Sequence, residues 1–410
     1  MSDVIHTPVI NARPTSPAQQ GSVRAINRSL VLDLLRRGGA MTRPQLAQQT
    51  GLTLPTIGSI IDELITERLV VDRGAGIGSV RGGRRPRVVE FNSGARRVLG
   101  VNIGVHRTTV AAGDARGTMF ARLDTATPSP ADPERVVAMV ASTARHLLRD
   151  IGEVDAVGVC VPGLVELDTG VCLAARNLGW DFVPIGNLLE EALGAPALVL
   201  NSTQAAAVAE QVHGVSQGIQ DLLWIYVGTG IGAGLISGGR LLRGSRGLTG
   251  EFGHTCVDEA GPQCGCGRRG CLEAVASGGA MIRAAVAAGV QFGDHPGFGS
   301  AELVAAGGRG ERAAVELLTN AGSRVGAAAA GVVHLLNPAQ VVLGGTIGSV
   351  DGPFTKAFRD SLATNAIPFS LASTSIVCST LGGDAAIQGA LLVARQQSDL
   401  NLRLVIGGGG

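Results

Sequence analysis

Aromatic side chains are scarce: Phe, Trp and Tyr together make up 3% of the chain. That argues against a surface that stacks successive bases of a single-stranded nucleic acid. Lysine is almost missing, with Lys356 standing alone, so the cationic charge is arginine. Arginine favours bidentate and minor-groove contacts over diffuse attraction. No apolar run reaches the roughly 18 residues of a membrane span, and no apolar core follows a charged start as in a secretory signal. A cytoplasmic protein is expected, nucleoid-associated if it binds DNA, with no membrane partner. Cysteine is sparse and odd in number at seven, yet Cys256, Cys264, Cys266 and Cys271 share one short window. In a reducing compartment such a cluster suggests a metal before disulfides.

What is present points to a folded, divided chain. Of 410 residues 45% are hydrophobic and 16% charged, so a sizeable core is no difficulty. The 61 glycines follow no collagen-like period and suggest tight turns and close helix packing. The net charge of +1 hides an asymmetry. Residues 21–97 carry 13 arginines against 6 carboxylates, a net +7, while Arg13 and Asp3 cancel in residues 1–20 and residues 98–410 hold −6. A basic head on an acidic body is the pattern of a chain whose one end meets phosphates.

Residues 1–20 contain Pro14 and Pro17, show no period and read as a flexible tail. Ile26, Leu30 and Leu34 form a helical stripe within 22–37, stopped by Gly38-Gly39. Thr42 with Gln45 makes a capping box for a second short helix, with Pro44 in its first turn, and Gly51 supplies the turn. A third helix begins near Thr53 or Pro55 and runs to about Arg68, with Ile57, Ile60, Ile61, Leu64 and Ile65 as its stripe. Two β-rich pieces, Leu69–Asp72 and Arg87–Phe91, flank a Gly-rich stretch carrying Arg81, Arg84 and Arg85. Three helices and a basic hairpin predict a winged helix-turn-helix over 21–92, with the third helix in the major groove of double-stranded DNA. Its outward Thr53, Thr56, Ser59 and Asp62, with Arg43 and the three hairpin arginines, are the candidate DNA contacts. The bland alternative is a tri-helical protein-docking module.

From residue 98 the pattern becomes α/β. Strands are expected at Val98–Ile103, Thr108–Gly113, Met119–Asp124, Ala156–Val161 and Ala197–Leu200, with helices at Pro133–Asp150 and Thr203–Val212. The logic then repeats: strands at Asp221–Val227, Ala233–Ser237, Gln340–Leu343 and Ser375–Val377, and helices at 273–289, 301–306, 311–336 and Ala385–Arg395. Two halves that each open with strand, turn and strand suggest a duplication about a cleft. The expected division is 97–207 plus 383–397 as a first lobe, 208–382 as a second, and 398–410 as a tail. No function can be read from the terminal Gly407–Gly410 run.

Two segments carry chemistry. Gly228, Gly230, Gly232 and Gly234 lie between two strands, where backbone amides could approach an anion. No helix follows directly, which argues against a dinucleotide site. The stronger signal is His254 with Cys264, Cys266 and Cys271: one imidazole and three thiolates satisfy a tetrahedral Zn²⁺ with no open position, a structural site.

Glu251-Phe-Gly-His254, followed by Cys264-Gly-Cys-Gly-Arg-Arg-Gly-Cys-Leu-Glu273, resembles the signature of the ROK family (repressors, open reading frames and sugar kinases). The resemblance covers residues 22–396, and the fused head is similar to the family's sugar-responsive regulators more than to its stand-alone kinases. It implies a two-lobed actin-like ATPase/sugar kinase fold. It also implies sugar contacts at Asn177, Asn201, Glu251, His254 and Glu273, with His254 doubling as a zinc ligand. Where family kinases place a general-base Asp after the Asn, this chain has Ser202, and a serine hydroxyl cannot take that proton at neutral pH. The family's first phosphate loop, Asp-x-Gly-Gly-Thr-Lys, corresponds to Asn102-Ile-Gly-Val-His-Arg107. Phosphotransfer, and with it ATP, is therefore not expected, while Gly228–Gly234 and Gly344-Gly345 persist. The resulting expectation is a regulator, a homodimer or homotetramer on paired half-sites, answering to a sugar or sugar phosphate. A bifunctional sugar kinase with a DNA-binding head and a structural DNA-binding protein with a vestigial pocket are the alternatives.

Overall fold

The computed structural model describes residues 21–75, 87–149, 151–292 and 299–407. The head comprises α1 (Gly21–Gly38), β1 (Met41–Thr42), α2 (Arg43–Thr50), α3 (Leu54–Thr66), β2 (Val70–Ala75) and β3 (Arg87–Phe91), with the strands in the antiparallel order β1-β3-β2. The capping box forms: Gln45 N donates to the Thr42 hydroxyl, and Thr42 N donates to the Gln45 side chain at 2.8 Å. Gly51 ends α2 in the left-handed region at φ 72°, which a Cβ would oppose. The Thr53 hydroxyl caps α3 by accepting from Thr56 N. Ile57, Ile60, Ile61 and Leu64 of α3 pack with Leu46, Leu69, Val89 and Phe91 into one core. The stripe expected for α1 is corrected. Val31, Leu32 and Leu35 face this core, whereas Ile26 is 65% exposed and Leu30 and Leu34 are half-buried. The apolar contact is made by the helix's C-terminal half, with Leu34 packed at the edge of the core, whereas Arg24 and Arg28 of the N-terminal half reach α3 and its end through polar contacts. The flexible tail expected at 1–20 and the wing tip with Arg81, Arg84 and Arg85 lie outside the described residues.

The body's first half runs β4 (Arg97–Ile103), β5 (Arg107–Asp114), β6 (Met119–Ala126), α4 (Pro133–Leu148), β7 (Ala156–Val161), β8 (Leu164–Glu166), β9 (Val171–Ala175), β10 (Trp180–Val183), α5 (Ile185–Leu193), β11 (Ala197–Asn201) and α6 (Ser202–His213). The second runs β12 (Leu222–Val227), β13 (Ile231–Ser237), β14 (Arg240–Leu241), α7 (Leu272–Ala276), α8 (Gly278–Ala287), α9 (Ser300–Gly308), α10 (Arg312–Leu336), β15 (Gln340–Gly344), α11 (Gly345–Gly348), α12 (Pro353–Asn365), α13 (Pro368–Ala372), β16 (Ser375–Cys378) and α14 (Ala385–Gly407). The main sheets are ordered β11-β7-β4-β5-β6 and β14-β13-β12-β15-β16. In each, three antiparallel strands are followed by two parallel ones beside the first. The duplication expected from the sequence is therefore present in the topology.

Two helices, α6 and α14, pack against both sheets. All six residues of β7 are buried, because α4 and α5 cover one face and α14 the other. Close approach of α14 requires Gly158: a Cβ there would stand 1.9 Å from Ala390 O. On α6, Ala205 packs with α14, while Ala206 and Ala207 pack with Leu222, Trp224 and Ile236 of the second sheet. At the far end of α6 the buried Glu210 accepts from Val215 N at 2.8 Å and from Ser379 Oγ at 2.6 Å. The same crowding corrects the reading of the glycine segment. β13 begins at Ile231, so Gly232 and Gly234 are strand residues, and a Cβ on Gly234 would lie 2.6 Å from Thr203 O. They admit α6, not an anion.

Other expectations also shift. The helix expected over 273–289 is broken at Ser277, whose hydroxyl accepts from Ala280 N and so starts α8 afresh. α14 continues past Arg395 to Gly407, through most of the segment expected as a tail, because no glycine or proline interrupts residues 396–406. The small sheet β10-β9-β8 and helices α5, α12 and α13 carry no signal in the sequence reading above. Among the described residues no helix is long and apolar enough to cross a membrane.

Candidate effector site and metal centre

The turn between β13 and α7 returns to the tip of the β12–β13 hairpin. Ala233 N donates to Gly250 O at 2.9 Å, which places Glu251 beside the hairpin. Glu273, in the first turn of α7, accepts from Ile231 N at 3.0 Å and so holds the hairpin from the other side. Glu251 Oε2 lies 3.6 Å from His254 Nε2. Burial pushes the Glu251 carboxyl above its ordinary range, His254 opposes this, and the Glu273 charge adds to it. Two carboxylates and one imidazole edge thus converge on one half-exposed spot, which suits a polyhydroxylated ligand whose vicinal hydroxyls donate.

The opposite edge of the same imidazole faces sulfur. His254 Nδ1 is 3.6 Å from Cys264 Sγ, and Cys266 Sγ is 3.6 Å from Cys271 Sγ. One ligand atom from each of the four residues lies within 4.8 Å of the others, an arrangement able to hold a metal ion. Burial, with the two neighbouring thiols adding to it, pushes Cys271 up to about 12. Three cysteine sulfurs and an imidazole at this spacing could serve a cation, which would favour the thiolate form of the ligands.

Asn201 stands at the N-terminus of α6, where its amide is occupied. Oδ1 accepts from Thr203 N at 2.7 Å, capping the helix, and Nδ2 donates to Gly163 O at 2.7 Å. Thr203 Oγ1 lies 2.5 Å from Asn201 Oδ1 and 3.0 Å from Ala233 O, so the cap also touches the second sheet. Asn177 sits exposed on the turn between β9 and β10, with no hydrogen bond to another described residue. Ser202 opens α6 and is half-buried. In the β4–β5 turn both carbonyls at Gly104 and His106 are taken by Thr127, through Oγ1 at 2.7 Å and N at 3.1 Å. Gly228 O and Thr229 O accept from Gly278 N and Gly279 N, so the first amides of α8 brace the second turn.

In the head, the outward face of α3 is partly engaged. Ser59 accepts from Arg24 at 2.9 Å, and Arg43 pairs with Asp62 at 2.5 Å. Thr53 and Thr56 hydroxyls share a hydrogen bond at 2.9 Å and remain at the surface. Each of the six carboxylates in residues 21–97 pairs with one arginine: Asp33, Asp62, Glu63, Glu67, Asp72 and Glu90 with Arg36, Arg43, Arg24, Arg28, Arg87 and Arg73. The segment's other arginines carry its surplus of positive charge; Arg96 pairs with Asp155 of the body, and Arg81, Arg84 and Arg85 lie outside the described residues. The head is joined to the body at Phe91. Arg36 stacks over its ring at 4.8 Å and Arg116, from the β5–β6 turn, lies at 5.9 Å. Ala115 is buried in the head's core, and its N donates to Ser93 O at 3.0 Å.

A family model described as the ROK family matches residues 98–397. The chain belongs to the ROK family. Its similarity to ROK regulators includes the head. It is 27% identical to the xylose repressor of Bacillus spizizenii over 372 residues, 90% of this chain and 94% of that protein. It is 28% identical to the DNA-binding transcriptional dual regulator NagC of Escherichia coli over 397 residues, 93% and 96% of the two chains. The crystal structure of a ROK family transcriptional regulator, a homolog of the E. coli MLC protein, superposes with a TM-score of 0.81 at 26% identity, covering 94% of this chain and all of that one. A ROK glucokinase from Streptomyces griseus, solved with glucose and AMPPNP, matches only the body: TM-score 0.63, 31% identity, 73% of this chain and 99% of that one.

The ROK chain therefore has a winged helix-turn-helix head and a two-lobed actin-like sugar-kinase body. The structure places Glu251, His254, Glu273 and the three cysteines, the residues that sequence reasoning grouped, close to one another. That reasoning missed Thr203, which ties the Asn201 cap to the second sheet, and Phe91, which ties head to body. Thr203 carried no motif. Phe91 read only as a strand residue, because its arginine partners lie 55 and 25 positions away.

Proposed function

We propose that this chain is a sugar-responsive, DNA-binding transcriptional regulator, a repressor, whose ROK body binds a sugar or sugar phosphate and does not transfer phosphate. The observation that carries the reading is the joint presence, in one chain, of the head and a carboxylate–imidazole cleft, at near full-length similarity to ROK repressors. The kinase reading draws on the body's likeness to glucokinases. Against it stand Ser202, where a base must accept the sugar hydroxyl proton, and Asn102, where a carboxylate would face the metal of ATP. Residues 21–92 are the DNA-binding head, 97–207 with 383–397 the first lobe, and 208–382 the second, with α6 common to both lobes.

Asn177, Asn201, Glu251, His254 and Glu273 are the proposed effector contacts. Arg43, Thr53, Thr56 and Ser59, with Arg81, Arg84 and Arg85 on the wing, are the proposed DNA contacts, acting as a dimer or tetramer on paired half-sites in the cytoplasm, at the nucleoid. The metal is Zn²⁺ in a structural role. A tetrahedron with Zn–S bonds of about 2.3 Å has S···S edges of about 3.8 Å, close to the 3.6 Å found. His254 would bind through Nδ1, which fixes Nε2 as the hydrogen-bearing edge toward Glu251 and the ligand.

The test is fluorescence anisotropy with DNA from upstream of the protein's own gene, across a panel of sugars and sugar phosphates, alongside an ADP-release assay and metal analysis. Salt-sensitive, specific binding shifted by one sugar, with no ADP formed, is expected. ADP release abolished by Glu251→Ala would establish the kinase instead.

A further inference from the structure

Cys256 lies outside the four-residue metal cluster but inside the same knuckle. Its backbone pairs with that of Cys271 in an isolated antiparallel bridge. The flanking hydrogen bonds are Leu272 N to Thr255 O at 2.8 Å and Val257 N to Gly270 O at 2.9 Å. Cys256 and Cys271 are therefore the non-hydrogen-bonded pair of this ladder, the narrow kind, in which opposed Cα atoms are about 4.5 Å apart and side chains share a face. A disulfide accepts Cα separations of roughly 4.4–6.8 Å, so the two sulfurs can be joined without moving the backbone, at the strained end of the range. Their exposure differs sharply. Cys256 is exposed, its thiol 3.7 Å from Arg269 O, whereas Cys271 is fully buried among Cys264, Cys266 and Ala274.

We propose that Cys256 is a hydroperoxide-modified thiol that closes a cross-strand disulfide with Cys271 and removes one ligand from the metal centre. The hydroperoxide transfers an oxygen atom to Cys256, giving a sulfenic acid and the corresponding alcohol, or water when the oxidant is hydrogen peroxide. The Cys271 sulfur then attacks the Cys256 sulfur: the S–S bond forms, the S–O bond breaks, and the departing hydroxide takes a proton and leaves as water. The two thiols together supply the two electrons that reduce the peroxide. Cys271 can no longer act as a thiolate ligand, so the centre keeps three of its four. Because His254 is held by that centre and presents its other edge to Glu251, oxidation loosens the effector site. Strain in a narrow-pair disulfide makes it easy to reduce, which makes the change reversible. The loss of a metal ligand and the loosening of the effector site rest on the metal and effector reading; the disulfide itself does not.

The experiment compares wild-type full-length protein with Cys256→Ser, which retains all four ligands. Metal content is measured first. Each protein is then treated with hydrogen peroxide while released zinc is followed with a chelating dye and disulfides are mapped on non-reduced peptides. The expected result is a peptide linking Cys256 to Cys271 in the wild type, reversed by dithiothreitol, and zinc release at least about tenfold slower in Cys256→Ser. Equal release from both proteins, with links only among Cys264, Cys266 and Cys271, would overturn the proposal. Untreated protein without zinc would remove the metal reading alone, since the Cys256–Cys271 link is scored independently by the peptide map.

Discussion

The joint at Phe91 can be tested quantitatively. Its ring is 2% exposed and lies under Arg36 at 4.8 Å and near Arg116 at 5.9 Å. Phe91→Leu keeps an apolar side chain but loses ring volume, so it should cost less than the roughly 3–5 kcal/mol of a truncation to Ala. It also removes the ring face from both guanidinium groups, each contact contributing about 0.5–1 kcal/mol where solvent reaches it and about 2 where it does not. Arg116 is half-buried, so its share should fall near 1 kcal/mol, give or take a factor of two. A double-mutant cycle of Phe91→Leu with Arg116→Ala isolates that share. Both tryptophans, Trp180 and Trp224, lie in the body, so their fluorescence reports the body and is blind to the head. The head should be followed by amide hydrogen exchange in α3. A coupling energy within about 0.3 kcal/mol of zero would refute the reasoning, because additivity is then obeyed and Arg116 does not hold the head through the ring.

Further outcomes follow from other residues. A Cβ on Gly58, inside α3, meets nothing within 4 Å, so Gly58→Ala should stabilise the head by about 1 kcal/mol. The same methyl should weaken operator binding by anisotropy; an unchanged affinity would mean that α3 does not turn this face to DNA. Gly158→Ala has the opposite sign, since its Cβ overlaps Ala390 O, and should lower Tm by several degrees or prevent folding. Burial pushes the Cys172 thiol up to about 11 and Cys160 higher still, so iodoacetamide should label Cys256 in native protein and leave those two silent until urea is added. Glu251 has a raised folded pKa, so the folded chain binds that proton more tightly than the unfolded one, and wild-type stability falls relative to Glu251→Gln as pH rises from 4.5 through the raised value. A Tm difference between the two that does not change with pH over that window would contradict it.

Much of this molecule can be read from its residues because local signals and global packing agree. The Thr42–Gln45 box, the α3 stripe, the apolar β7 run and the His254-to-Cys271 spacing each state their structure within a few positions. The readings that failed depend on partners distant in sequence. The sequence period marks Ile26, Leu30 and Leu34 of α1, but period alone does not say which flank of a helix another helix will cover. Gly232 and Gly234 looked like part of an anion turn, yet their purpose is set by Thr203 and Ala207 of α6. The strands β8 to β10 are short, irregular in register at Leu164 and pass through Phe182 at a positive φ of 50°, so they carry no clean alternation.

The helix α6 has a mechanical consequence. Its first turn carries the Asn201 cap and, through Thr203, touches Ala233 of the second sheet, and its last turn is anchored through Glu210 to Ser379. Its 12 residues span about 18 Å at about 1.5 Å per residue. It therefore has the form of a lever whose short handle is at the proposed effector cleft and whose flanks bear on both sheets. A tilt of only about 5° at the capped end displaces the far end by about 1.5 Å over that length, roughly the scale on which packed helices slip between arrangements. Substitutions that shorten or bend α6 in its middle should thus uncouple cleft from lobes while leaving every ligand contact in place.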